Sequence, residues 1–174
     1  RYEDAPVSGD FDGDGKTDIA VFRRGGIEAG HWYILRSSDG EMADVYFGLG
    51  SDVPVPADYD GDGKSDIAVW RGSEGNLHIQ RSSDNQLEIV SCGSDTSAYP
   101  TIPVPADYDG DGKADVAVFR RTVNWGGYWH IRRSSDGMVV EKQWGLEADT
   151  PVPADYDGDG QADFAVWRES DANW

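Results

Sequence analysis

Four stretches of this chain set carboxylates at a spacing suited to holding a cation. Each reads Asp-aromatic-Asp-Gly-Asp-Gly-x-x-Asp, and they begin at Asp10, Asp58, Asp107 and Asp155. Positions 1, 3, 5 and 9 are aspartate in every copy. They are Asp10, Asp12, Asp14 and Asp18; Asp58, Asp60, Asp62 and Asp66; Asp107, Asp109, Asp111 and Asp115; and Asp155, Asp157, Asp159 and Asp163. Four carboxylates in so short a loop crowd together, and like charges held close repel and raise one another's pKa. A hard divalent cation removes that repulsion. The competing reading is an Asp/Gly-rich turn with no ion; recurrence four times in register favours the ion.

The remaining positions say which ion. An EF-hand loop also takes oxygens from positions 1, 3, 5, 7 and 9, with Gly at 6 for the sharp turn. Here Gly fills positions 4 and 6. Position 7 would supply only a backbone carbonyl, so its side chain is free to vary, and it does: Lys16, Lys64, Lys113 and Gln161. Position 2 (Phe11, Tyr59, Tyr108, Tyr156) reads as an apolar anchor turned away from the ion, and position 8 (Thr17, Ser65, Ala114, Ala162) as small and uncommitted. The bidentate Glu that closes an EF-hand at position 12 is replaced by Val21, Val69, Val118 and Val166. The loop is therefore not an EF-hand, and position 9 must ligate more directly. Six or seven oxygens on a flexible loop suit calcium better than magnesium. One ion per loop, about four in all, would take the formal charge from −18 to −10.

The loops recur at offsets of 48, 49 and 48 residues, so one structural unit must present each of them. A short apolar strand follows each loop: Ile19–Arg23, Ile67–Arg71, Val116–Arg120 and Phe164–Arg168. Small Ala alternates there with β-branched and aromatic residues, as in a strand packed on both faces. A second strand follows at His31–Ile34, Leu77–Gln80 and Tyr128–Ile131, and each runs into Arg-Ser-Ser-Asp and then Gly or Asn, a hairpin turn. A third strand ends at Phe47-Gly48-Leu49, Cys92-Gly93-Ser94 and Trp144-Gly145-Leu146; the second of these leads into a longer loop, Asp95–Ile102. Pro-Val-Pro segments at 54–56, 103–105 and 151–153 can add an edge strand, where proline is tolerated. No window has a helical period. The expected fold is all-β: propeller-type blades of about four antiparallel strands, with three full repeats (5–53, 54–102, 103–150) and a partial fourth (151–174) in a single repeat domain, 1–174. A β-solenoid is the alternative, with rungs that are usually shorter.

Composition excludes several functions. The chain of 174 residues carries 33 acidic and 15 basic residues, which argues against nucleic acid and against an anionic membrane surface. Its 11% aromatic content and Val/Ile-rich runs argue for a folded chain. Cys92 is the one cysteine, so an intrachain disulfide and a Cys-based zinc site are both impossible. No apolar run reaches the ~18 residues a membrane span needs. The opening Arg1-Tyr2-Glu3-Asp4 carries no signal peptide and reads as a processed or excised piece. Catalysis is not expected: no Ser/His/Asp or Cys/His grouping stands out, and the aspartates are accounted for by the loops. His31, His78 and His130 read as satisfied strand residues and most of the Trp side chains as blade packing. Trp125, in the insert 122–127, is the exception, with the shape to stack on a sugar ring. Arg23, Arg71, Arg120 and Arg168 recur after a strand, placed to pair with loop carboxylates.

The strings PVPADYDGDGKSDIAVWR, PVPADYDGDGKADVAVFR and PVPADYDGDGQADFAVWR resemble the VCBS/FG-GAP family of extracellular propeller repeats, and the likeness covers essentially the whole chain. That family is similar in turn to the integrin α-subunit propeller. The resemblance implies propeller architecture, calcium as a structural ion held by Asp10, Asp12, Asp14, Asp18 and their equivalents, and a secreted or cell-surface location. The expected function is a non-catalytic, calcium-stabilised module for adhesion or self-assembly. The chain begins and ends in mid-blade, so open blade edges are expected to pair with the rest of a longer chain or with a second copy, either as a dimer-closed propeller or as a filament. The alternatives are a glycan-binding lectin and an accessory fragment of a larger secreted enzyme.

Overall fold

The computed structural model describes residues 4–93, 101–122 and 126–170, and every regular element among them is a strand. The first repeat holds β1 (Ala5–Gly9), β2 (Asp18–Phe22), β3 (His31–Leu35) and β4 (Met42–Tyr46). The second holds β5 (Val53–Pro54), β6 (Ile67–Arg71), β7 (Asn76–Gln80) and β8 (Leu87–Ser91). The third holds β9 (Ile102–Pro103), β10 (Val116–Thr122), β11 (Gly126–Arg132) and β12 (Val139–Gln143). Each set forms one antiparallel four-stranded sheet in sequence order, and β13 (Thr150–Pro151) with β14 (Val166–Trp167) begins a fourth. The expectation of three full blades and a partial one holds. Short hairpin connections make this order natural, because each strand feeds directly into its neighbour.

The details depart from the sequence reading in two places. The proline segments contribute only two residues each to the sheet in the second, third and fourth repeats, and pairing runs through the residue before the first proline and that proline itself (Val53↔Trp70, Pro54↔Val69). The insert of the third repeat lengthens its hairpin, adding the pairs Arg121↔Gly127 and Thr122↔Gly126. Trp125 and Trp174, and most of the loop 95–102, lie outside the described residues.

The chain divides into two compact units, one of residues 1–72 with 76–91, the other of 73–75 with 92–174. Both are built by one rule. In the first, Ala20, Phe22, Trp32 and Ile34 line one face of the first blade, and Val69 and Ile67 of the second blade pack on it. In the second, Ala117, Phe119, Trp129 and Ile131 receive Val166 and Phe164 in the same way. The small Ala leaves room for the indole of the neighbouring strand. Phe22 lies 5.3 Å from Trp32 and Phe119 lies 5.2 Å from Trp129, centroid to centroid, a contact worth roughly 0.5–1.5 kcal/mol beyond the area buried. Each indole N–H donates to a carbonyl just past the last strand of its blade, Trp32 to Phe47 after β4 and Trp129 to Trp144 after β12, at 2.9 and 3.0 Å. Trp70 is also buried, whereas Trp144 stands half exposed.

The recurring arginines pair elsewhere than expected. Arg71 donates to Asp52 (Nη2 to Oδ2, 2.8 Å) and Arg168 to Asp149 (2.8 Å), and both carboxylates are fully buried. Arg23 pairs with the equivalent Asp4. These aspartates precede the proline segment and are not members of the Asp-rich loops. The third repeat has Thr101 at that position, and Arg120 there donates to the carbonyls of Cys92 and Gly93 instead. The Arg168 guanidinium holds the Asp149 carboxyl below the usual carboxylate range.

Candidate metal centre

Each Asp-rich loop joins the first strand of a blade to its second. Isolated bridges at Ala57↔Asp66, Ala106↔Asp115 and Ala154↔Asp163 close three of them at the base. Glycines at positions 4 and 6 take left-handed backbone, with φ near +80° at Gly13 and Gly15, and turn their N–H groups inward. Those N–H groups bind the first aspartate: Gly13 and Gly15 donate to the two oxygens of Asp10 at 2.7 and 2.8 Å. Asp58, Asp107 and Asp155 are held the same way.

The carboxylates then divide into roles. Positions 1, 3 and 9 converge in three loops (Asp10, Asp12, Asp18; Asp107, Asp109, Asp115; Asp155, Asp157, Asp163), each offering an oxygen within 4.8 Å of the others. In the second loop the converging set is Asp58, Asp60 and Asp62, positions 1, 3 and 5. Position 5 accepts from the same donors in the other loops as Asp62 does in the second, where Lys64 N–H and the Ser82 hydroxyl donate to it at 2.9 and 2.8 Å. Asp14 accepts from Lys16 N–H at 2.8 Å and from the Ser37 hydroxyl at 3.0 Å, Asp111 accepts likewise from Lys113 and Ser134, and Asp159 accepts from Gln161 N–H. The backbone of position 7 (Lys16, Lys64, Lys113, Gln161) thus donates to position 5 in all four copies.

Position 9 is the buried anchor. Asp18, Asp66 and Asp115 are essentially inaccessible, and each accepts an N–H from the aromatic residue at position 2 and another from the first Ser of the hairpin turn. Burial pushes the Asp66 and Asp115 carboxyls upward, against the Ser and Tyr N–H bonds that lower them. Two N–H donors therefore do not fully offset the desolvation of these charges. In the third loop Asp109 Oδ1 is buried with no protein donor. A cation fits that orphaned, negatively charged oxygen better than any neutral donor within reach.

Sequence reasoning missed the role of the Arg-Ser-Ser-Asp turn. It does form the hairpin, with Gly40, Asn85 and Gly137 at positive φ. Its two serines also cover the loop. Ser37 and Ser38 reach Asp14 and Asp12, Ser82 and Ser83 reach Asp62 and Asp60, and Ser134 and Ser135 reach Asp111 and Asp109. Ser38 holds the Asp12 carboxyl below its ordinary value. The recurrence of Ser-Ser in the hairpin turn after each of the first three loops was the available clue. Ser83→Ala, which removes a 2.6 Å bond to Asp60, should cost about 1 kcal/mol and lower the melting temperature by roughly 2–4 °C in chelator. A melt identical to that of the parent chain would show the serine to be idle.

Position 8 of the second and fourth loops is engaged, where the sequence reading left it uncommitted. Ser65 N–H donates to the Asp10 carbonyl at 2.6 Å, and Ala162 N–H to the Asp107 carbonyl at 2.6 Å. Within each unit the second loop is thus tied to the first. A Cβ on Gly9 would lie 2.7 Å from the Ser65 hydroxyl, which leaves little room there. Position 2 behaves as an anchor with a polar tip: Tyr59, Tyr108 and Tyr156 donate their hydroxyls to the carbonyl four residues back, while Phe11 packs edge-on against Trp32.

The other reactive side chains lie apart from these loops. His31 bonds Asp44 at 2.9 Å and His130 bonds Glu141 at 3.1 Å. Cys92 is buried, and burial pushes its thiol up to about 11, away from thiolate chemistry. Among the described residues no helix is long and apolar enough to cross a membrane. A family model described as FG-GAP-like repeat matches residues 10–69 and again 58–118, together more than half of the chain. No curated protein and no solved structure matches it.

Proposed function

This chain belongs to the FG-GAP-like repeat family, and from that membership we propose that it is a non-catalytic, calcium-stabilised module of an extracellular protein. As a β-propeller-like repeat module it offers blades whose loops can each hold one ion. The observation that carries the ion is the convergence of three carboxylates in every loop, with Asp109 Oδ1 buried and undonated in the third. Calcium would be held by positions 1 and 3 of each loop, joined by position 9 in the first, third and fourth (Asp18, Asp115, Asp163) and by Asp62 in the second. It would supply charge compensation: the N–H and Ser donors hold the oxygens in place, and the ion offsets repulsion they leave uncancelled.

The ion's role would be mechanical. Ser65 and Ala162 link a loop to the carbonyl of the preceding loop's first aspartate, so an ordered loop stiffens the blade-to-blade contact as well as its own blade. Such a module serves adhesion or self-assembly, joining through open blade edges to further blades of a longer chain or of a second copy. The test is calcium titration by calorimetry and native mass spectrometry. About four ions should bind, and Asp60→Ala and Asp109→Ala should each lose one. Unchanged stoichiometry in both variants would refute the assignment. Light scattering with and without calcium reads the assembly separately.

A further inference from the structure

We propose that a cavity between the first and second blades binds a carboxylate bearing a neighbouring hydroxyl, the chemistry shared by a uronic acid unit and a free hydroxy acid. The cavity measures about 340 Å³ and lies wholly within the first compact unit. Its apolar wall includes Ile34, Val45 and Ile67. Its charged wall is the reverse of the molecule as a whole: Arg36, Lys64 and Arg81 stand against Asp12 alone, in a chain of net charge −18. The Asp12 Oδ2 atom is already engaged by the Ser38 hydroxyl at 2.7 Å.

Two polar atoms on these side chains are buried without a protein partner, Arg36 Nε and Gln80 Oε1. Comparison with the other repeats shows that neither follows from the repeat itself. The equivalent arginines Arg81 and Arg133 spend Nε on Asp84 and Asp136, at 3.2 and 3.1 Å. Arg36 instead commits Nη2 to Asp39 (2.7 Å) and Glu41 (3.1 Å), leaving Nε undonated. The amide of Gln80 is particular to the second repeat; Leu35 and Arg132 hold the matching register positions. Lys64 makes no ion pair among the described residues, and Arg81 is occupied by Asp84.

One donor, one acceptor and one free ammonium beside an apolar wall define the ligand. With the Arg36 and Gln80 side chains turned to the cavity on binding, a carboxylate accepts from Arg36 Nε and Lys64 Nζ, a neighbouring hydroxyl donates to Gln80 Oε1, and the carbon skeleton lies on Ile34 and Val45. A neutral sugar leaves the cations unmatched, and an inorganic anion offers no donor to the amide. This site uses none of the converging loop oxygens except by proximity to Asp12, so its failure would leave the ion assignment standing.

The test titrates methyl glucuronide into the full chain at saturating calcium and follows amide shifts by NMR. Saturable binding is expected, with methyl glucoside weaker by about tenfold or more. Arg36→Lys and Gln80→Leu should each weaken the glucuronide by about tenfold, and Lys64→Gln, which installs the residue of the fourth loop, should weaken it and flatten its salt dependence. The Lys64 variant is a surface change and keeps the test sound if a buried one misfolds. Lactate binding as tightly as the glucuronide would identify a free hydroxy acid as the source; a uronate oligomer binding more tightly would identify a polysaccharide. Equal binding of the glucoside, or variants that bind like the parent chain, would overturn the proposal.

Discussion

Chelating calcium should lower the melting temperature of this protein by roughly 10–20 °C. A ligand that binds only the folded state adds about 2.7 kcal/mol per site when its free concentration is a hundredfold above Kd. Each compact unit carries two Asp-rich loops, so calcium adds about 5 kcal/mol per unit, as much as the whole stability of a marginal domain. At about 2–4 °C per kcal/mol for a chain of this size, the shift is well above measurement error. Extracellular modules bind calcium with Kd near 10⁻⁴–10⁻³ M, so the comparison is between about 10 mM calcium and EGTA. Magnesium should restore little of the loss, because its small rigid shell suits these loops poorly. Superimposable melts in calcium and EGTA would remove the stabilising role of the ion.

Asp52→Ala should destabilise the second blade by about 3–5 kcal/mol, the usual cost of leaving a buried charge without its partner. Asp52 is fully buried, accepts from Arg71 Nε and Nη2 at 3.1 and 2.8 Å, and takes the Leu49 N–H at 2.9 Å. Its removal takes from Arg71 the buried carboxylate it donates to and from the Leu49 N–H its acceptor. The exposed pair Arg36–Asp39 is the control, since surface pairs contribute about 0–1 kcal/mol. The third repeat shows how the position can be vacated: Thr101 replaces the aspartate, and Arg120 turns to the carbonyls of Cys92 and Gly93. Asp52→Ala combined with Arg71→Met should therefore recover part of the loss, because the second change removes the charge whose carboxylate is gone. An Asp52→Ala melt within a degree or two of the parent would mean the pair is structurally neutral.

Much of the architecture was legible because its determinants are local. A strand declares itself by alternation, and a tight loop by glycines where only glycine adopts the backbone cheaply. The Asp-rich loops, the strands after them, the Arg-Ser-Ser-Asp hairpins and the count of three blades and a part all rest on residues within one repeat. Repetition in register then supported each reading beyond what a single motif could. The proline segments do form the edge strand, two residues long in three repeats, and the N–H groups of Val55, Val104 and Val152 each add one bond beyond it, to the carbonyls of Ala68, Ala117 and Ala165.

What the amino-acid order determined by itself was which groups are present and at what spacing: sixteen loop aspartates, glycines at positions 4 and 6, and an apolar strand behind each loop. The tertiary structure alone decided which oxygens converge, that paired serines some 20–26 residues downstream cover them, and that Ser65 reaches back 55 residues to Asp10. It alone sent Arg71 to Asp52 and left Arg36 Nε and Gln80 Oε1 unmatched on two side chains that line one cavity. The physical reason is that carboxylates accept from any donor brought within about 3 Å, and sequence spacing beyond a turn does not say which donor arrives. Only the packing of one blade on the next fixes that choice.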